Sequence, residues 1–363
     1  MFKMYSGSVF VLLCFPVIIS YVTCSDELIA LIHVFRHGQR SPANSYKSDP
    51  YKNHWENLGP NQLTIEGRRQ MYKLGQDTRT RYSDFIPKNY SVNIINIQST
   101  DTDRTQMSAQ CYLYGLFPAS GDAVWLKNVD WQPISVHPVD NSIIYNDNTN
   151  CPTFAYLYSF VITNPRYSRV NQQYKAMYKY ISDNTGESVS DMASAYSIHD
   201  ILTTESQAGL ELPEWTKKYF PEPLGTAAGY LLQSLTFTLD LKGLYIGPFL
   251  NTIVNYFDAM NVNGTSSPKI QAYSIHESNL GSILNVFGCF DPPHVPEFTS
   301  SIWIELKKNS TMDYVNVWYK NGANLTKLSV NGCDLNCPYA QFKQNIRDYI
   351  IDSDKWSEYC GYN

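Results

Sequence analysis

Apolar positions along this chain change period several times, and each change marks an element. The run Leu28 to Val34, with Ile29, Leu31, Ile32 and Val34, predicts a buried strand of a parallel or mixed sheet, ended by a loop at Gly38 and Pro42. A helix is predicted from Thr64, a candidate cap, to about Tyr82, with Ile65, Met71 and Leu74 as a partial apolar face. Val92 to Ile97 alternates and branches like a strand, and a helix follows through about Leu116. Helical patterns span Leu224 to about Leu241 and Ile246 to Met260. Ile270 to Ile275 is a predicted strand, interrupted at His276-Glu277-Ser278-Asn279-Leu280, with a helix beyond. Ser301 to Leu306 and Tyr314 to Tyr319 alternate as antiparallel strands near a sheet edge.

The stretch from about 130 to 225 has a different texture. It is rich in Tyr, Asn and Ser, carries seven prolines between Pro133 and Pro223, and shows only short helical patterns. The expected fold is therefore α/β: a large domain with a central mixed β-sheet flanked by helices, formed by 25–130 and 225–363. A smaller, mostly α-helical domain, 131–224, is inserted in it as a cap. Residues 1–24 read as a signal peptide, with Lys3 at the start, the apolar core Val9 to Ile19, and Val22 and Cys24 before the cut. That core is too short for a membrane anchor and Pro16 interrupts it. The expected product is soluble and secreted, with a lysosomal destination as the alternative.

Composition narrows the partners. At 363 residues and a formal charge of -5, without basic runs, the chain does not suit nucleic acid as a general partner. Beyond Cys14 and Cys24, six cysteines remain: Cys111, Cys151, Cys289, Cys333, Cys337 and Cys360. That even number suits an oxidising compartment. A zinc site at Cys333 and Cys337 lacks two further ligands. Glycosylation sequons stand at Asn89, Asn263, Asn309 and Asn324.

Candidate chemistry gathers at strand ends, where open α/β sheets place their sites. Arg36, His37 and Arg40 follow the first strand, Arg104 opens the helix after the second, and His276 and Glu277 follow the strand at 270–275. Three arginines and two histidines converging on one pocket suit a tetrahedral dianion, because guanidinium forks match phosphate oxygens. A neutral imidazole among them can attack phosphorus, and Glu277 is the nearest acid for a leaving alcohol. Asp101 and Asp103 are expected to cap the helix near Arg104, and His33 to be packed in its strand. His54, His137, His199 and His294 are expected on the surface or in loops.

Arg36-His37-Gly38-x-Arg40-x-Pro42 resembles the signature of the histidine acid phosphatases, nearest to the prostatic, lysosomal and insect venom types. The resemblance extends through Ser99 to Thr105, Leu116-Phe117-Pro118, Trp131 to His137, Asn150-Cys151-Pro152, Tyr273-Ser274-x-His276 and the tail cysteines. It implies hydrolysis of small phosphate monoesters without metal or cofactor, with His37 as the phosphorylated nucleophile and Glu277 as proton donor. Arg36, Arg40, Arg104 and His276 would bind the phosphate. It also implies a homodimer and disulfides Cys151–Cys360 and Cys333–Cys337. Two departures stand out. The animal enzymes usually carry Asp where this chain has Glu277. A third family disulfide is missing near Thr204 and Ser301, for which Cys111 and Cys289 offer a replacement pair. The rival readings are a phytase-like or mutase-like relative, and a secreted salivary or venom-type binding protein that has lost turnover.

Overall fold

The computed structural model describes residues 26–140, 142–144, 151–263 and 268–361. The expected signal peptide, Asn150 and the side chain of Asn263 lie outside them. Among the described residues, eight strands form one mixed sheet: β1 (Glu27–Arg36), β2 (Ile95–Ser99), β3 (His137–Pro138), β4 (Ile270–Ile275), β5 (Ser301–Lys308), β6 (Asp313–Asn321), β7 (Asn324–Leu328) and β8 (Cys337–Pro338). Their spatial order is β3-β2-β4-β1-β5-β6-β7, with β8 also paired to β6. The pairs β3–β2, β2–β4 and β4–β1 are parallel; β1–β5, β5–β6, β6–β7 and β6–β8 are antiparallel.

The two-residue period of β1 sorts its side chains to opposite faces. Ala30, Ile32 and Val34 enter one core, and Leu31 and Phe35 another. The second core is closed by α1 (Ile65–Arg81) and α2 (Asp103–Leu116). Thr64 caps α1 by accepting from the Gly67 N–H, and Met71 and Leu74 are buried, whereas Ile65 is exposed. His33 is packed as expected, its Nδ1 3.0 Å from the Tyr112 hydroxyl. At α2 the cap is Thr102 rather than Asp101 or Asp103. Asp101 accepts instead from the Gln106 side chain, and Asp103 from that of Gln62.

Residues 131–224 contribute α3 (Pro152–Ile162), α4 (Pro165–Thr185) and α5 (Met192–Gln207), and α6 (Leu224–Ser234) begins at their end. Met177, Ile181, Ile198, Ile201, Leu202 and Leu224, with others, form a third core there, joined by Tyr46 from the loop after β1. The segment also supplies β3, so residues 137–138 belong to the sheet. The remaining helices are α7 (Leu239–Asn263), α8 (Glu277–Val286), α9 (Tyr339–Ile346) and α10 (Ser353–Tyr359).

The break between α6 and α7 falls at 235–238, earlier than the pattern suggests, and Thr238 accepts from the Leu241 N–H to start α7. Gly243 and Gly247 do not end the helix. They let it approach the backbone near Tyr349, where a Cβ on Gly247 would stand 2.4 Å from the Tyr349 carbonyl oxygen. Disulfides join Cys151 to Cys360 and Cys333 to Cys337. Cys111 and Cys289 are both free, and the replacement bridge does not form. Cys111 packs with the core under α1 and α2 and Cys289 with the opposite core, so the sheet separates them.

Candidate active site

Register brings the candidate residues together. Arg36 lies opposite Ile275, and Ser99 opposite Ser274, in three adjacent parallel strands. The next residues, His37, His276 and Thr100, therefore emerge in one row at the carboxyl edge of the sheet. The His37 and Thr100 N–H groups extend the ladder by donating to the carbonyls of Ile275 (3.1 Å) and Ser274 (3.2 Å). The loop after His37 then runs against the start of α1. A Cβ on Gly38 would stand 2.3 Å from the Gly67 carbonyl oxygen, and one on Gly67 2.1 Å from that of Gln39. Only two facing glycines permit that approach.

His37 is buried, and its Nδ1 lies 2.8 Å from the Gly38 carbonyl oxygen, which can only accept. That bond fixes the proton on Nδ1 and leaves the Nε2 lone pair free to receive the Arg104 Nε–H at 3.3 Å. Burial first, then the Arg36 and Arg104 charges, hold the imidazole well below its usual range, so it stays neutral in acid.

His276 caps α8. Its side chain accepts from the Asn279 N–H, while the Asn279 side chain accepts from the His276 N–H. Its Nδ1 also faces Arg104 Nη2 at 3.3 Å, and its Nε2 lies 2.9 Å from the Thr100 hydroxyl. Both ring nitrogens are thus engaged. Burial and Arg104 lower its pKa to about 3.

The arginines are held by different partners. Arg36 donates to the Pro296 carbonyl at 2.6 Å, and its guanidinium lies 4.2 Å from the Phe298 ring centroid. Arg40 meets both oxygens of Asp200, at 2.9 and 3.1 Å, while its buried Nε has no hydrogen-bond partner among the described residues. Glu277 forms an ion pair with Arg36 at 2.8 Å, too bent for a hydrogen bond, and accepts from the Tyr196 hydroxyl. Burial disfavours the carboxylate, yet the Arg36 and Arg40 charges hold Glu277 well below the usual range.

All six residues predicted from strand ends lie in this cluster. Tyr196 and Asp200 were not foreseen, nor was Thr100 as the partner of His276. Tyr196 and Asp200 stand four apart on α5, one face of a helix, and that spacing was the available signal. His199, expected at the surface, is buried on the same helix because α5 packs on α6 and the sheet loops. The arrangement presents an unprotonated imidazole nitrogen within a cationic cradle, beside a carboxyl group.

A family model described as "Histidine phosphatase superfamily (branch 2)" matches residues 27–217, more than half of the chain. This chain belongs to the histidine phosphatase superfamily. Within it, the chain is 31% identical to venom acid phosphatase Acph-1 of Apis mellifera, across 91% of this chain and 87% of that protein. It is 30% identical to the prostatic acid phosphatase of Bos taurus, across 93% and 88%. The lysosomal acid phosphatase of Xenopus laevis is 29% identical, across 93% and 79%. Among solved structures, the Hafnia Alvei phytase in complex with tartrate superposes with a TM-score of 0.67 at 15% identity, covering 90% of this chain and 98% of that one. This last likeness is one of fold.

Proposed function

We propose that this histidine phosphatase is an acid phosphomonoesterase working in two steps through His37. The observation that carries the reading is the His37 Nε2 lone pair, fixed by the Nδ1 contact to Gly38 and flanked by the Arg36 and Arg104 charges, with Arg40 acting on the adjacent Glu277. The phosphoryl group of a small monoester binds to the arginines, which offset the charge on its oxygens. His37 Nε2 attacks phosphorus, the phosphorus–oxygen ester bond breaks, and the leaving oxygen takes a proton from Glu277. Water then attacks the phosphohistidine, its proton passes to the Glu277 carboxylate, and the nitrogen–phosphorus bond breaks to release phosphate. Substrate charge draws on Arg36 and so lifts the Glu277 pKa, which lets the carboxyl hold the proton it must give. His276 orders Thr100 and Arg104, and donates to phosphate only in its other tautomer.

Export belongs to the same reading: two disulfides form, Asn89 and Asn324 are exposed, and no helix among the described residues is long and apolar enough to cross a membrane. The product would act as a homodimer. Rapid quenching with a radiolabelled ester should trap an alkali-stable, acid-labile adduct on His37, and His37→Ala should abolish turnover. Near-native rates in His37→Ala would remove the nucleophile. A second reading, a binding protein without turnover, draws on the Glu277 carboxylate filling the cradle. Hydrolysis of p-nitrophenyl phosphate at about pH 5 separates the two.

A further inference from the structure

A cavity of about 630 Å³ has Glu277 in its wall, and His37 is not among its lining residues. Its walls come from α5, from α6 and the residue that follows it, chiefly Met192, Ala193, Tyr196, Leu231, Leu232 and Leu235, and Glu277 with Ser278 joins the lining to the site. The volume falls within the range of small-molecule sites. Its polar side chains are largely turned to the protein. Asp191 accepts from the Ser194 N–H at 2.8 Å, Asn171 from the Met192 N–H at 3.1 Å, and the Tyr158 hydroxyl meets that of Ser234 at 2.7 Å. What remains for an occupant is mainly hydrocarbon. Among the described lining residues none is Lys, Arg or His, whereas two carboxylates, Asp191 and Glu277, are present.

The chemistry proposed above fixes which part of a substrate arrives there. In-line attack by His37 places the leaving oxygen on the opposite side of phosphorus, beside the acid. Whatever that oxygen carries extends past Glu277, into this space. A leaving group bearing further phosphates would meet carboxylates and no cation. One bearing an alkyl chain or an aromatic ring would bury it against leucines and methionine.

We propose that the cavity is the leaving-group site and that it selects monoesters of apolar, uncharged alcohols over polyphosphorylated ones. This inference rests on the phosphatase reading. It assigns the substrate class by the walls beyond Glu277, a part of the molecule that the chemistry at phosphorus does not use.

The test is a series of linear alkyl phosphates from ethyl to octyl, each kept below its micelle-forming concentration, with myo-inositol hexakisphosphate as the polyanionic competitor. kcat/KM should rise roughly two- to fourfold per methylene until the cavity is full. The inositol ester should be hydrolysed more slowly than octyl phosphate. Ala193→Phe, at an exposed position of α5, fills the cavity and should collapse the octyl-to-ethyl ratio of kcat/KM towards one. Leu231→Ser should reduce the same ratio without filling the space, and thermal unfolding of both variants reports that they fold. A flat chain-length profile with ethyl phosphate still turned over would overturn the leaving-group site alone. Faster hydrolysis of the inositol ester would do the same. No turnover of any ester would take down the phosphatase reading and this inference with it.

Discussion

The Glu277 carboxylate stands 2.8 Å from Arg36 Nε and 3.9 Å from His37 Nε2, inside the space that a bound phosphate needs. In-line transfer requires about 3–3.5 Å from nucleophile to phosphorus, then the ester bond, then about 2.7 Å to the acid. That length cannot fit within the observed gap. In the unliganded protein Glu277 therefore acts as an internal anion, and substrate must displace it. Glu277→Gln should tighten inorganic phosphate about tenfold by calorimetry. It should also slow alkyl phosphates about 100- to 10,000-fold. Glu277→Asp, one methylene shorter, should lower the KM and keep or raise kcat. Unchanged phosphate affinity in Glu277→Gln would show that the carboxylate does not compete.

Asp200 reaches from α5 to grip Arg40 with both oxygens. Loss of that grip frees a guanidinium that must meet phosphate, and misplacement by about 1 Å can cost about 100-fold in rate. Asp200→Ala should lower kcat/KM by about 10- to 100-fold with the fold intact, and Asp200→Glu should recover part of it. Steady-state kinetics on p-nitrophenyl phosphate provide the check.

Stability should peak between acid and alkaline losses. His276 and His199 are buried with pKa values lowered by burial to about 3 and about 4. As pH falls below about 6.5 the unfolded chain takes up protons that the folded chain refuses, so stability falls. Glu277, whose folded pKa is lowered, adds to the acid loss below its unfolded value. Glu205 has the opposite sign: burial, with Asp49 nearby, raises it to about 8. Its proton is held by the folded chain and lost by the unfolded one above about pH 4.5, so stability falls as pH rises from there to about 8. The thermal midpoint of phosphate-free protein should be highest between about pH 5 and 7. Added phosphate should raise the acid side, and Glu205→Gln should flatten the alkaline one. An acid side that stays level without phosphate would contradict the buried neutral histidines.

The contact of Gly38 with Gly67 leaves no room for a methyl group on either side. Gly67→Ala should destabilise by about 1–3 kcal/mol or more, since a backbone carbonyl cannot turn aside as a side chain can. The midpoint of urea unfolding measures this. An unchanged midpoint would mean that the loop after β1 yields freely.

Much of the site was legible because strand ends are legible. β1 and β4 are short apolar runs that stop at charged residues, and parallel pairing brings such ends to one edge. The proline-rich texture of 131–224 did not tell which face of α5 would turn towards the sheet. Tyr196 and Asp200 stayed hidden for that reason. The helical pattern was read as ending near Leu241 and resuming at Ile246, whereas α7 runs unbroken through Gly243 and Gly247, which pack closely on Tyr349 and Ile351. The edge strand β7, Asn324–Leu328, was missed: its first three residues are exposed and its pattern is weakly apolar. Two cysteines look alike in a sequence whether or not a sheet stands between them.

The bridge from Cys151 to Cys360 spans 209 residues and ties the start of α3 to the end of α10. A protease that clips any loop between those points would leave both pieces covalently attached. Nicked protein would keep its mass under non-reducing denaturation and separate into two fragments only after a thiol is added.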